Sequence, residues 1–211
     1  MSLSMEDIDP RASRDVLLAE LTEDRFLRTT SKAGNQLYLI NIHNSPHLTR
    51  EVGRLREIAF RSSGGGTGKS LDLDRYDLGD PPYEQLIVWD PEDQEITAGY
   101  RLIQCQDLPR NADGSIESAT SHLFKYSARF EKDYVPYTIE LGRSFVQPQY
   151  QRGSGRKGLF ALDNLWDGLA AFMLLHSHLR YLFGKVTMYP SFPREGRDRI
   201  LAFMHHFFPD P

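Results

Sequence analysis

Cysteine is nearly absent: Cys105 is the single one in 211 residues. One thiol cannot build an internal disulfide framework, which suits a reducing compartment. Cys105 falls in an expected strand and reads as a buried structural thiol, not a nucleophile. No apolar run reaches the roughly 20 residues that span a bilayer. The acidic, polar N-terminus carries no secretion signal, Met1 to Ser4 read as additions ahead of a native start at Met5, and a cytoplasmic location is the default. Positive charge is not in excess either. A formal net charge of −4 excludes a general attraction to nucleic acid or an anionic membrane, so any basic site must be local. Metal-ligand spacing is missing as well: Pro46 interrupts His43 and His47, while His176, His178, His205 and His206 sit near helix ends, where cations are favoured anyway. No metal is assigned, and no repeat or low-complexity tract is present.

What is there is an ordinary globular composition, 40% apolar and 26% charged, in one large domain or one domain with an arm. Residues 1–35 read as the arm, with short amphipathic helices at Asp15–Leu21 and Glu23–Arg28, and residues 36–211 as the main domain. Gln36–Ile42 alternates as a strand does. A helix then starts at Ser45-Pro46, with proline near its first turn. Leu48, Val52, Leu55, Ile58 and Ala59 form its apolar stripe, Arg50, Glu51, Arg54, Arg56 and Glu57 fill the rest, and it ends near Phe60-Arg61. Strands are expected at Glu84–Trp89 and Glu95–Cys105, joined by the turn Asp90–Asp93. Asp107–Ser121 reads as a polar loop, Phe124–Phe130 as a short irregular or helical stretch, Tyr181–Met188 as a strand with Gly184 at a bulge, and Arg197–Phe208 as a final amphipathic helix. This order predicts a mixed α/β sheet with helices on both faces.

The polar loop Ser62–Pro82 contains a decoy, Gly64-Gly65-Gly66-Thr67-Gly68-Lys69-Ser70. A nucleotide P-loop needs its first glycine five places before Gly68, where Ser63 stands. It also needs a strand before it and a helix after it, and neither is expected here. Nucleoside triphosphate hydrolysis is rejected.

The informative stretch runs from Thr138 to Leu174. An apolar strand carrying one acid, Glu140, leads into a loop of glycines and cations, Gln151 to Gly158. A helix follows, with Leu159, Leu162, Leu165, Trp166, Leu169, Phe172 and Met173 at steps of three and four; Phe160, Trp166, Phe172 and Met173 read as core. Unpaired N–H groups and the dipole at a helix N-terminus attract anions. Arg152, Gly153, Ser154, Gly155, Arg156, Lys157 and Gly158 therefore form a candidate phosphate site. The plainer reading is a solvated turn, and the spacing is not that of a dinucleotide loop.

The element order and this loop resemble the GNAT acyltransferases. More narrowly, Glu140-Leu141-Gly142-Arg143-Ser144-Phe145-Val146 and Leu165-Trp166-Asp167-Gly168-Leu169 resemble the bacterial ornithine-lipid and glycine-lipid N-acyltransferases, some of them labelled hemolysin. Phe60-Arg61, Asp74-Arg75-Tyr76-Asp77, Gly99-Tyr100-Arg101-Leu102 and the Glu140/Arg143 pair are similar to acyl-homoserine-lactone synthases. The resemblance covers about Gln36 to Phe208. It departs from the family in the loosely met Gly loop, in the final strands of the GNAT sheet, which are not expected within this chain, and in the general-acid tyrosine, for which Tyr189 is the nearest candidate.

The resemblance implies transfer of a long-chain acyl group from acyl-ACP or acyl-CoA to the amine of an amino acid, for aminolipid synthesis. The implied partners are a carrier protein or CoA and a small amine, with peripheral membrane contact allowed and no nucleic acid. It implies Glu140 as base and Arg143 beside it, holding the acceptor's carboxylate. Phe145, Val146 and the 152–158 loop would hold the donor, and Arg61, Asp74, Asp77 and Arg101 would line the acceptor side. Glu140 could instead form a structural ion pair with Arg143. A signal synthase and a non-enzymatic lipid- or partner-binding module remain the rival readings. Residues 140 and 143 are three apart and face opposite sides of a regular strand. Joint action requires a bulge, expected at Gly142, that brings both to one side and turns an N–H toward the thioester oxygen.

Overall fold

The computed structural model describes residues 5–151, 155–189 and 191–209. The chain opens with α1 (Arg14–Glu20), β1 (Phe26–Thr29), β2 (Gln36–Ile40) and α2 (Pro46–Ser62). It continues through α3 (Arg75–Leu78), β3 (Glu84–Asp90), β4 (Glu95–Gln104), α4 (Ala128–Asp133) and β5 (Thr138–Val146), and ends with α5 (Gly155–Leu175), β6 (Tyr181–Gly184) and α6 (Arg194–Phe207). Among the described residues the strands form one six-stranded sheet in sequence order. Each neighbouring pair is antiparallel except β5 and β6, which are parallel and joined through α5.

Alternation along the strands builds two apolar layers. Tyr38, Ile40, Ile87, Trp89 and Phe145 pack against Leu17 of α1 and Leu48, Val52 and Leu55 of α2. On the other face Leu86, Leu102 and Ile139 meet Leu169 and Phe172 of α5, and Leu37, Val88 and Ala98 meet Leu165. The mixed α/β sheet covered on both faces is as expected, and β3 and β4 occupy its buried centre.

Several local readings are corrected. Glu23–Arg28 is not a helix: one tight turn at Glu23–Arg25 leads into β1, which pairs with β2. So short a segment gains little as an isolated helix and more from a ladder along a free sheet edge. The strand expected to reach Met188 stops at Gly184, where pairing with β5 ends at Leu141↔Gly184; Gly184 marks that end and no bulge. Leu162 and Trp166 are about half exposed, because residues 165, 169 and 172 are the ones α5 turns toward the sheet. On α2, the charged residues Glu51, Arg56 and Glu57, expected to fill the outer surface, are buried. The loop 62–82 contains α3, held by a reciprocal cap in which Asp74 accepts from the Tyr76 and Asp77 N–H groups and Asp77 accepts from the Asp74 N–H. No described helix is long and apolar enough to cross a membrane.

Candidate functional site

The site starts from an irregularity in β5. Arg101 of β4 lies opposite Gly142, yet Gly99, two residues back, lies opposite Phe145, three residues on. The extra residue is a bulge. It opens between Gly142 and Phe145, and Arg143, not the glycine, takes the left-handed conformation at φ 51°. A side chain on Gly99 would come within 2.8 Å of the Phe145 ring, so glycine admits that ring at the bulge.

The bulge resets the alternation. Ile40, Gln85, Arg101 and Gly142 lie opposite one another across the sheet, so Glu140 shares the face that α2 covers. Phe145, five residues on, packs on that same face. Arg143 also turns there: its Nη2 lies 3.4 Å from Asp72 and 3.7 Å from Asp74. Glu140 and Arg143 thus stand on one side, as their joint action requires.

Beyond Leu141 and Gly184 the two parallel strands part. Residues 142–144 and residues 185–187 form opposite sides of a cleft of about 510 Å³, into which Glu140, Tyr83, Arg101, Asp74 and Tyr189 also face. Splayed parallel strands leave backbone polar groups on both lips without a sheet partner, which suits an extended, amide-bearing ligand.

Glu140 is 2% exposed. The Tyr83 hydroxyl donates to its Oε2 at 2.9 Å and accepts from the Ala119 N–H at 3.0 Å. Burial first, and then the Glu140 charge, push the Tyr83 phenol well above its ordinary range, so it remains a donor. Oε1 of Glu140 has no partner among the described residues. Cys105 lies nearby; burial first, and the Glu140 charge second, push its thiol up to about 12. It stays neutral, in keeping with a structural thiol.

Around this carboxylate lies a compact ion network. Arg56 of α2, fully buried, donates to Asp77 at 3.0 and 3.2 Å and to Asp72 at 3.3 Å. Arg101 donates through Nη1 to both Asp74 oxygens at 2.8 Å and to Asp77 at 3.0 Å. Burial alone would raise Asp74, but the charge of Arg101 and its hydrogen bonds outweigh it and hold the carboxyl at about 2. The carboxylates at 72, 74 and 77 thus face the guanidiniums of Arg56 and Arg101 as pairs of opposite sign inside the fold.

Several expected site residues stand elsewhere. Asp74 and Arg101 line the cleft, whereas Asp77 is buried behind them in the ion network. Arg61 does not line the cleft: its guanidinium donates to Glu57, to the Glu6 carbonyl and to the Lys69 carbonyl. Phe145 is core, and the Val146 side chain packs toward α5. Arg152, Gly153 and Ser154 lie outside the described residues, as do the side chains of Arg156 and Lys157. The backbone of Gly155 to Gly158 forms the first turn of α5, in keeping with a strand, loop and helix start in series.

The decoy loop has a different occupant. Glu57 accepts from the Thr67 N–H, the Gly68 N–H, the Thr67 hydroxyl and Arg61 at 2.7 to 3.0 Å. A side chain on Gly66 would sit 2.7 Å from that carboxylate. The chain's own anion fills the position a phosphate would need, which agrees with rejecting a P-loop.

Tyr83 and Arg56 escaped the reading of the sequence. Tyr83 follows Pro81-Pro82 at the edge of a loop and has no motif around it. Arg56 looked like surface charge on an amphipathic helix; its signal was the excess of acids at 72, 74 and 77, with only Arg75 between them.

A family model for the GNAT acetyltransferase domain matches residues 55–161. Two curated relatives are similar over 98% of this chain, both named glycine N(alpha)-acyltransferase: one from Bacteroides thetaiotaomicron, 55% identical, and one from Phocaeicola vulgatus, 51% identical. The chain spans 61% and 64% of their respective lengths.

Proposed function

This chain belongs to the GNAT family, and we propose that it is an N-acyltransferase that moves a long-chain acyl group from a pantetheine thioester to the amine of glycine, for aminolipid synthesis. The observation that carries this is Glu140: a buried carboxylate with one oxygen fixed by Tyr83 and the other without a partner among the described residues, on a cleft between parted strands. The names of the two relatives support glycine as acceptor.

Glu140 takes the proton from the acceptor's ammonium, directly or through one water. The freed amine attacks the thioester carbonyl. Charge gathers on the carbonyl oxygen, and we assign its stabilisation to backbone N–H groups at the β5 bulge. The attack forms the N–C bond; collapse then restores the carbonyl and breaks the C–S bond, and the departing thiolate takes the proton that the nitrogen gives up. Arg143, at the bulge, supplies positive charge beside the reacting groups. The donor's phosphates fall to Arg152, Arg156, Lys157 and the amides of 153–158, in the setting a helix start provides. We assign this chemistry to the domain of 36–211; from the stretch before it, β1 pairs with β2 and Leu17 of α1 packs into the core. The reaction is placed in the cytoplasm, with peripheral membrane contact for the fatty product.

The experiment is a screen of free amino acids with acyl-ACP and with acyl-CoA, reading released thiol and product mass. Glycine-dependent thiol release with an N-acylglycine product supports the proposal. A lactone product points to a signal synthase, and no release with any amine contradicts transfer altogether.

A further inference from the structure

Two residues that line the cleft each carry a buried polar atom with no partner among the described residues, Oε1 of Glu140 and Nε of Arg101. The two residues are only 2% and 4% exposed. Buried polar groups are almost always satisfied, so orphans here point to a ligand. They are also opposite in kind, one an acceptor on a carboxylate and the other a donor on a guanidinium.

Tyr83 holds the two in relation. Its hydroxyl donates to Oε2 of Glu140, leaving Oε1. Its ring lies 5.1 Å from the Arg101 guanidinium carbon. The Arg101 bonds to Asp74 and Asp77 all leave from Nη1. They do not use the Nε–Nη2 edge, the side whose two parallel N–H groups match a carboxylate. Arg143 offers no comparable edge, because its Nη2 already lies beside the carboxylates of Asp72 and Asp74.

We propose that the cleft receives its acceptor as a zwitterion, with the carboxylate of a small α-amino acid on the Nε–Nη2 edge of Arg101 and its amine at Oε1 of Glu140. This rests on the N-acyltransferase reading and names the subsites that select the acceptor. Both orphans then gain partners, and no existing bond of Asp74, Asp77 or Tyr83 is broken. It moves the carboxylate from Arg143, the residue expected to hold it, to Arg101. An amine without a neighbouring carboxylate would leave the buried guanidinium edge empty and bind poorly.

The test compares glycine with glycinamide as acceptor, reading thiol release from one acyl thioester. The ammonium of glycinamide is the more acidic, so unassisted chemistry favours the amide. The expected result is a kcat/KM for glycine about 10- to 100-fold higher, the scale of a charge-assisted bidentate pair. In Arg101→Lys, which keeps the charge but lacks the planar edge, the glycine-to-glycinamide ratio should fall to one or below, chiefly through KM for glycine. Equal use of both acceptors by the unmodified protein overturns the carboxylate assignment while leaving the transferase reading intact. An unchanged ratio in Arg101→Lys overturns it too. Release with neither acceptor contradicts the transferase reading itself, and this one with it.

Discussion

The two faces of β5 are built on opposite principles. Toward α5, Ile139 joins Leu102, Leu169 and Phe172 in a dry cluster, with Leu141 packed against it. Toward α2, Glu140 and Arg143 look onto Arg56, Arg101, Asp72, Asp74 and Asp77. One strand separates a layer that gains stability from apolar burial from a layer that holds charges out of water. Charges so held are costly and are kept in position by one another. The apolar face builds the core under the sheet, and the polar face lines the cleft where β5 and β6 part.

Removing a member of the polar layer should hurt more than an equal cut in the apolar one. Arg56→Ala leaves Asp77 and Asp72 buried without their main counter-charge. A loss of about 3–5 kcal/mol is expected, measured by urea unfolding. Leu169→Ala, on the opposite face, removes apolar contact and leaves a cavity, for about 2–4 kcal/mol. Should the leucine change prove the more damaging, the contrast between the faces is wrong. The smallest effect belongs to acid. Asp74 has a folded value held at about 2 against an ordinary 3.8. Its contribution is complete above the ordinary value and is lost as pH falls from 3.8 toward 2. Partial exposure limits it to no more than about 2 kcal/mol. Asp74→Asn should flatten that part of the stability curve and leave its neutral region little changed in shape.

The apolar face was the more legible from sequence. The steps of three and four in α5, which include Leu165, Leu169 and Phe172, and the alternation over Gln36–Ile42 depend on local order, and they marked a helix and a strand that the fold contains. The bulge was legible too, because Glu140 and Arg143 could serve together only if the alternation broke between them. It falls at Arg143, one residue past the glycine that suggested it. The polar face was read in part. Asp74 and Arg101 were identified, but Arg61 was favoured where Arg56 makes the buried contacts. The two lie on one helix, and its rotation turns Arg56 to the sheet and Arg61 to the glycine loop. Only the packing of α2 decides between them. Tyr83 was illegible for the same reason: its role arises from a contact with Glu140, 57 residues away in sequence. Charge partners in a folded interior are chosen by topology, which hydrophobic periodicity does not encode.

The central claim is that Glu140 accepts the acceptor's proton, and Glu140→Gln tests it most directly. The amide keeps the size and can still accept from Tyr83, but it cannot take the proton. With glycine and an acyl thioester, kcat should fall about 100-fold or more, while binding of the thioester, measured by calorimetry, is unchanged. Turnover equal to that of the unmodified protein would contradict the account.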